Sequence, residues 1–242
     1  MGIYRTRPSI FGQDNAADTT PGRNNWYGER FVVNAGESRQ VVGDEGSYFS
    51  INQPVLGTDI VGHVAPSLAN NDPLPTKTLL HIFNGGQRLI TMDFVTLRWI
   101  VVNASSTATG FLIYTDVLGV TGKTSGGTAV TPVNSRAGGQ ASAAVVTFGA
   151  VVTASSATVQ RHFAKYVRPV IAVAADEATF CFGSDRSQPS AVLLNGTAVA
   201  SYAVQVPPVT ILPGGNFYLC EANPSGAATG ATYHFTGGFI EK

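Results

Sequence analysis

The chain has 242 residues, with 15 Lys+Arg against 15 Asp+Glu and a formal net charge of zero. That balance excludes a protein that wraps nucleic acid, whose affinity needs clustered cations. Charged residues are only 12% and hydrophobic residues 44%, while 27 Gly and 13 Pro disfavour long helices and suit a turn-rich β protein with a sizeable core.

Residues 1–28 read as an extended arm. MGIYRTRPSIFGQDNAADTTPGRNNWYG has no sustained period and is punctuated by Pro8 and Pro21. It shows no apolar segment of the secretory kind and no myristoylation signal. Its apolar residues Ile3, Tyr4, Ile10, Phe11 and Trp26, with Arg5 and Arg7, suit docking onto another surface. They suit packing along the chain's own domain as well.

Short β-rich runs begin at Arg30: RFVVNA, SRQVV and YFSINQ. Residues 56–75 read mainly as loop, with a helical turn at LANN. TLLHIFN leads into the NGG at Asn84–Gly86, a hairpin signal. RLITMDFVTLRWIVVNA is long enough for one bent strand or two, and FLIYTDV follows. Residues 119–140, rich in Gly, Thr, Ser and Pro, read as an exposed loop with brief extended pieces. In ASAAVVTFGAVVTASSATV the side chains are small enough for another backbone to approach closely. YVRPVIAVAA, ATFCFGS, SAVLLNG and TAVASYAVQV are further strands. PPVTILPGG is a turn and FYLCEA a strand. ATYHFTGGFIEK closes the chain with Tyr233, Phe235 and Phe239 facing inward. No fixed-period repeat points to a propeller or solenoid. The pattern predicts an all-β jelly-roll or β-sandwich single domain over 29–242, with the arm over 1–28.

Sites of chemistry are weak. GVTGKTSGG at 119–127 lacks the first Gly of a phosphate loop, since Val117 stands there, and SGGTAVTP cannot continue as the helix that such a loop needs. His63, His81, His162 and His234 are scattered, without metal-ligand spacing. No GxSxG elbow occurs, and no carboxylate pair stands out. Asp44–Glu45 and Asp176–Glu177 read as solvated turns. Cys181 and Cys220 sit in apolar runs and read as buried free thiols. Trp99 reads as core. No catalytic residue, cofactor or metal is therefore expected, nor is a membrane helix. Arg161, Lys165 and Arg168, interleaved with Phe163 and Tyr166, form the one basic-aromatic cluster. It suits an acidic partner surface or merely a solvated strand pair.

The few charges are unevenly spread. Residues 187–220 and 222–240 contain none, with Glu221 alone between them. A free β protein keeps charge to protect its sheet edges, so this spacing suggests surface hidden against other copies or a larger body. Arginine outnumbers lysine, 11 to 4, which suits fixed interface contacts.

Three segments carry a resemblance. Gly126–Ser156, the ending Pro207–Lys242 and the central LLHIFNGGQRLITMDFVTLRWI are similar to segments of the small jelly-roll or β-sandwich structural proteins of tailed bacteriophages. The ending FIEK departs from that pattern, where an aromatic before the acid is expected. The resemblance implies no catalytic residues. It implies a virion component assembled in the host cytoplasm, most simply a capsid decoration or cement protein. Its partners would be copies of itself, as a homotrimer, and the major capsid protein or another virion protein, with no nucleic acid or membrane. The expected contact residues are Ile3, Tyr4, Arg5, Arg7, Ile10, Phe11, Trp26, Arg161, Lys165 and Arg168. The alternative is a tail or fibre module that holds a host-surface glycan, through loops such as 57–75 and 119–140. A β-sandwich hydrolase is disfavoured by the sparse, unpaired acids.

Overall fold

A computed structural model of the chain describes residues 23–24, 30–31, 43, 45–53, 60–61, 78–101, 110–116, 123–152, 161–167, 176–183, 191–194, 197–222 and 231–242. The elements among them are all strands: β1 (Arg23–Asn24), β2 (Arg30–Phe31), β3 (Tyr48–Asn52), β4 (Ile60–Val61), β5 (Leu80–Asn84), β6 (Ile90–Val101), β7 (Gly110–Asp116), β8 (Lys123–Val130), β9 (Val133–Asn134), β10 (Ala144–Val152), β11 (Arg161–Val167), β12 (Glu177–Phe182), β13 (Ala191–Leu194), β14 (Thr197–Val206), β15 (Thr210–Ile211), β16 (Asn216–Ala222) and β17 (Thr232–Glu241).

They form two large sheets and one small ribbon. The six-stranded sheet runs β11-β7-β16-β5-β10-β8. The nine-stranded sheet runs β13-β14-β12-β6-β17-β3-β9, with β15 on β6 and β4 on β17. The ribbon is β1 with β2, which straddles the expected boundary between arm and domain. Take the eight strands β3, β5, β6, β7, β11, β12, β16 and β17 as first to eighth. The larger sheet then holds them in the order 1-8-3-6 and the smaller in the order 2-7-4-5. The chain therefore switches sheets at most of these connections. Strands β8, β9 and β10 are an insertion between the fourth and the fifth. The pair β12–β14 is parallel, unlike the other pairs among the described residues.

Alternation along the strands explains why the sheets face each other. In β17, burial follows the period of two, so Tyr233, Phe235 and Phe239 point inward as expected. Rings from opposite sheets meet there. Trp99 and Phe111 lie 5.8 Å apart, Phe111 and Phe180 5.4 Å, Phe148 and Phe235 4.3 Å, and Phe182 and Phe217 5.7 Å. These contacts identify a β-sandwich with an aromatic core. Trp99 is 1% exposed, in keeping with its reading as core.

Gly238 of β17 meets a close approach from outside the sandwich. Tyr48 of β3 lies across it, inside the space that a Cβ would occupy. The Tyr48 hydroxyl thereby reaches Asp93 Oδ2 at 2.8 Å.

Three local expectations need correction. The NGG at Asn84–Gly86 is not a β-hairpin, because β5 and β6 lie in different sheets. It is an arch between layers, pinned by the buried Asn84 side chain. Asn84 Nδ2 donates to the carbonyls of Arg88 (2.8 Å) and Ile211 (3.0 Å), and its Oδ1 accepts from Gly86 N at 3.1 Å. Residues 123–130 are not loop but the edge strand β8. Gly127 lets β8 come close to β10: its φ is +75°, and a Cβ would lie 2.6 Å from the Phe148 carbonyl oxygen. That approach agrees with the small-residue reading of β10. Asp176 is not a solvated turn residue but fully buried beside Trp99, whose backbone N–H donates to the Asp176 backbone carbonyl at 2.9 Å. RLITMDFVTLRWIVVNA forms one strand, β6, whose pairing with β17 shifts register near Gly238. The helical turn expected at LANN lies outside the described residues.

Candidate functional site

The outer face of the six-stranded sheet holds the densest polar cluster among the described residues. Strands β10, β5, β16 and β7 place Thr147, His81, Tyr218 and Tyr114 side by side in one register row. Two residues along, Asn216 and Asp116 are neighbours, and on the other side Cys220 adjoins Leu112. Period-two alternation produces this grouping. Phe111, Ile113, Phe217 and Leu219 take the inward positions of the same strands, so the polar residues between them point outward.

Hydrogen bonds centred on Asp116 tie the cluster together, while His81 Nδ1 is buried without a hydrogen-bond partner. Tyr218 Oη donates to Asp116 Oδ2 at 2.9 Å, and Asn216 Nδ2 donates to Asp116 Oδ1 at 2.8 Å. That fixes the Asn216 amide, leaving its Oδ1 as acceptor for His81 Nε2–H at 2.9 Å. The rings stack: Tyr114 on Tyr218 at 4.6 Å, and His81 on Tyr218 at 5.1 Å. Thr147 Oγ1 is buried without a hydrogen-bond partner.

Burial sets the electrostatics. It pushes the Tyr114 and Tyr218 hydroxyls well above the ordinary phenol value, and neighbouring Cys220 and Asp116 push further the same way. Burial also drives the Cys220 thiol up, against the lowering effect of its hydrogen bond with Tyr114. A thiol held protonated is not a nucleophile. The set Thr147, His81, Asn216 and Asp116 has residue types found in hydrolytic triads. Its members are at most 1% exposed, so no substrate carbonyl reaches them. The arrangement does structural work: it satisfies a buried carboxylate and fixes the spacing of four strands.

The residues singled out in the sequence fall elsewhere. Ile3, Tyr4, Arg5, Arg7, Ile10, Phe11, Trp26 and Arg168 lie outside the described residues. Arg161 and Lys165 lie on β11, an edge strand, opposite Thr115 and Leu112 of β7. His63 lies outside the described residues, His162 is on β11, and His234 is on β17, far from His81 in the fold. Cys181 and Cys220 are free and buried, in different sheets. Among the described residues, no group of three or more His, Cys, Asp or Glu is placed to hold a metal ion. No helix among them is long and apolar enough to cross a membrane.

The charge-free stretches now divide. Strands β16 and β17 lie inside their sheets, each with a neighbour on both sides, and β16 is buried on both faces. The absence of charge from Asn216–Cys220 and Thr232–Ile240 follows from the chain's own packing and needs no partner. The edge strand β8 is different. Among the described residues its one pairing partner is β10, and Gly126–Ala129 are exposed. From Thr124 through Ser135 no ionisable side chain occurs. Val145 beside β8 and Val133 on the neighbouring edge strand β9 are 47% and 59% exposed. The Gly, Ser and Thr of this segment thus form a sheet edge rather than the expected loop, unpaired on its far side among the described residues.

No family model, curated protein or solved structure matches the chain.

Proposed function

We propose that the chain is a non-enzymatic structural protein of a tailed-phage virion, a jelly-roll subunit that decorates and cements the capsid shell as a homotrimer. The observation that carries the assembly reading is the edge strand β8, which has no ionisable side chain after Lys123 and is exposed over Gly126–Ala129. Isolated proteins block such edges with charge, because unpaired N–H and C=O groups recruit further strands. Here Pro132 and the left-handed Gly127 give only local protection. The pairing orders 1-8-3-6 and 2-7-4-5 support the jelly roll, and the resemblance of residues 126–156 and 207–242 supports the virion setting.

The mechanism is surface burial. About 800 Å² per partner at ~25 cal/mol per Å² makes a stable contact, and many copies around a symmetric particle add by avidity. The arm 1–28, through Ile3, Tyr4, Arg5, Arg7, Ile10, Phe11 and Trp26, reaches neighbouring subunits, while Arg161, Lys165 and Arg168 meet an acidic shell surface.

Light scattering on the purified full chain tests the reading, with Thr128→Lys placing a charge on β8. The native chain is expected to be oligomeric, with the variant shifted toward single subunits and particle binding weakened by deletion of 1–28. A native chain that stays monomeric and leaves shells undecorated refutes the proposal.

A further inference from the structure

An open groove of about 850 Å³ lies between the turn Glu45–Ser47, the loop 136–140, and Arg88 with Glu241 and Lys242. Its walls are fixed by hydrogen bonds. Asn134 Nδ2 donates to the carbonyls of Gly46 (2.9 Å) and Gln140 (2.8 Å), and Asn134 Oδ1 accepts from Arg136 N at 2.9 Å. Glu241 N donates to the Ser47 carbonyl at 2.8 Å, and Leu89 and Lys242 exchange backbone bonds of 2.7 and 2.9 Å. A groove held this way is formed before any ligand arrives.

Its charges are uncompensated. Glu45, Arg88, Arg136 and Lys242 are exposed, and Glu241 is only 4% exposed. None of the five forms an ion pair with another described residue. The Glu241 carboxylate is poorly served. Its Oε1 accepts one long bond from Ala143 N at 3.4 Å, and its Oε2 is buried with no hydrogen-bond partner. A buried carboxylate oxygen without a donor is unfavourable and marks a site that a donor completes.

Among the described residues the lining contains no aromatic ring and no large aliphatic side chain. Protein partners anchor through such groups, so the occupant is polar. The three cations outnumber the two carboxylates, Glu45 and Glu241, and call for one further anion, and the buried carboxylate calls for O–H donors. We propose that this groove binds an acidic saccharide. The sugar carboxylate meets Arg88, Arg136 and Lys242. Its ring hydroxyls donate to Glu241, whose terminal torsion is soft enough to turn an oxygen toward the groove. A neutral sugar leaves the cations unmatched, and a simple anion leaves Glu241 without its donor. The proposal is independent of the assembly reading, because a single subunit presents the whole groove.

Calorimetric titration of the full chain at low salt tests it, with sialyllactose and trigalacturonic acid as probes and lactose and acetate as comparators. At least one acidic saccharide is expected to bind about tenfold or more tighter than both comparators. The exposed double variant Arg88→Ala/Arg136→Ala is expected to lose about tenfold or more of that affinity with its circular dichroism unchanged. Glu241→Gln is expected to narrow the margin of the saccharide over acetate. Equal binding of acetate, equal binding of lactose, no binding of either acidic probe, or full affinity in the double arginine variant overturns the proposal.

Discussion

Alkaline pH should unfold this protein over a narrow range. Tyr114, Tyr218 and Tyr233 are at most 2% exposed, and Cys220 is fully buried. Burial is the first cause raising all four, from ordinary values of 10.0 for the phenols and 9.0 for the thiol. At Tyr233 the nearby Glu221 adds to the effect. A raised folded value favours the protonated form in the native state. Its stabilising contribution is complete below the ordinary value and is lost as pH rises beyond it. Above about pH 10 the unfolded chain releases four protons that the folded chain keeps, and each adds a slope of about 1.4 kcal/mol per pH unit. The sum is about 5 kcal/mol per pH unit, against a total stability of about 5–15 kcal/mol for an ordinary domain. Unfolding should therefore be complete within about one to three pH units above 10. Urea titrations from neutral to about pH 11, with tyrosinate absorbance recorded in parallel, measure both the slope and the ionisation. Tyr218→Phe sharpens the test. It removes the hydrogen bond to Asp116 and should cost about 1.5–3 kcal/mol at neutral pH. It also deletes one titrating group, so its deficit should shrink by about 1.4 kcal/mol per pH unit above 10. Tyrosinate absorbance that reaches its full amplitude near pH 10 while the circular dichroism stays native would refute the reasoning.

Two further outcomes follow from the packing. Asn84→Ala removes three hydrogen bonds that hold the arch between the sheets and strands two carbonyls, so denaturant midpoints should report a loss of about 2–4 kcal/mol. An unchanged midpoint means that the arch stands without its pin. Gly238→Ala forces Tyr48 off β17 and breaks its bond to Asp93, with an expected loss of about 1–3 kcal/mol in thermal unfolding. Adding Tyr48→Phe to Gly238→Ala should then change little more, since the bond is already gone.

Strand content was legible where one face meets the core. ATYHFTGGF alternates because β17 has a core side and an outer side, and its inward residues were identified correctly. The NGG was misread because turn chemistry is local. The choice between hairpin and arch depends on which partners β5 and β6 find, and those partners come from β10, β16, β12 and β17. The polar cluster left little trace, since His81 and Asn216 are 135 residues apart in the chain. One usable signal existed. His81, Tyr114, Asp116, Asn216, Tyr218 and Cys220 occupy every second position of strands whose other positions are mostly apolar, with Asn84, Thr115 and Glu221 as exceptions. The charge-free runs were read as covered surface, and for β16 and β17 the cover is intramolecular. The edge strand β8 was hidden by its own composition, because Gly, Ser and Thr suit a loop as well as a flat strand.

The placement of β17 also governs how the molecule can be built. Residues 232–241 lie between β3, from near position 50, and β6, from near position 95. Until that segment has left the ribosome, the larger sheet is two separate halves with raw flanks facing each other. Acquisition of the native sheet is thus deferred until residues 232–241 have been made, a long exposure for a chain with so few charges to keep it apart from its neighbours. Shortening the chain by this one segment would split the sheet through its middle rather than trim its margin.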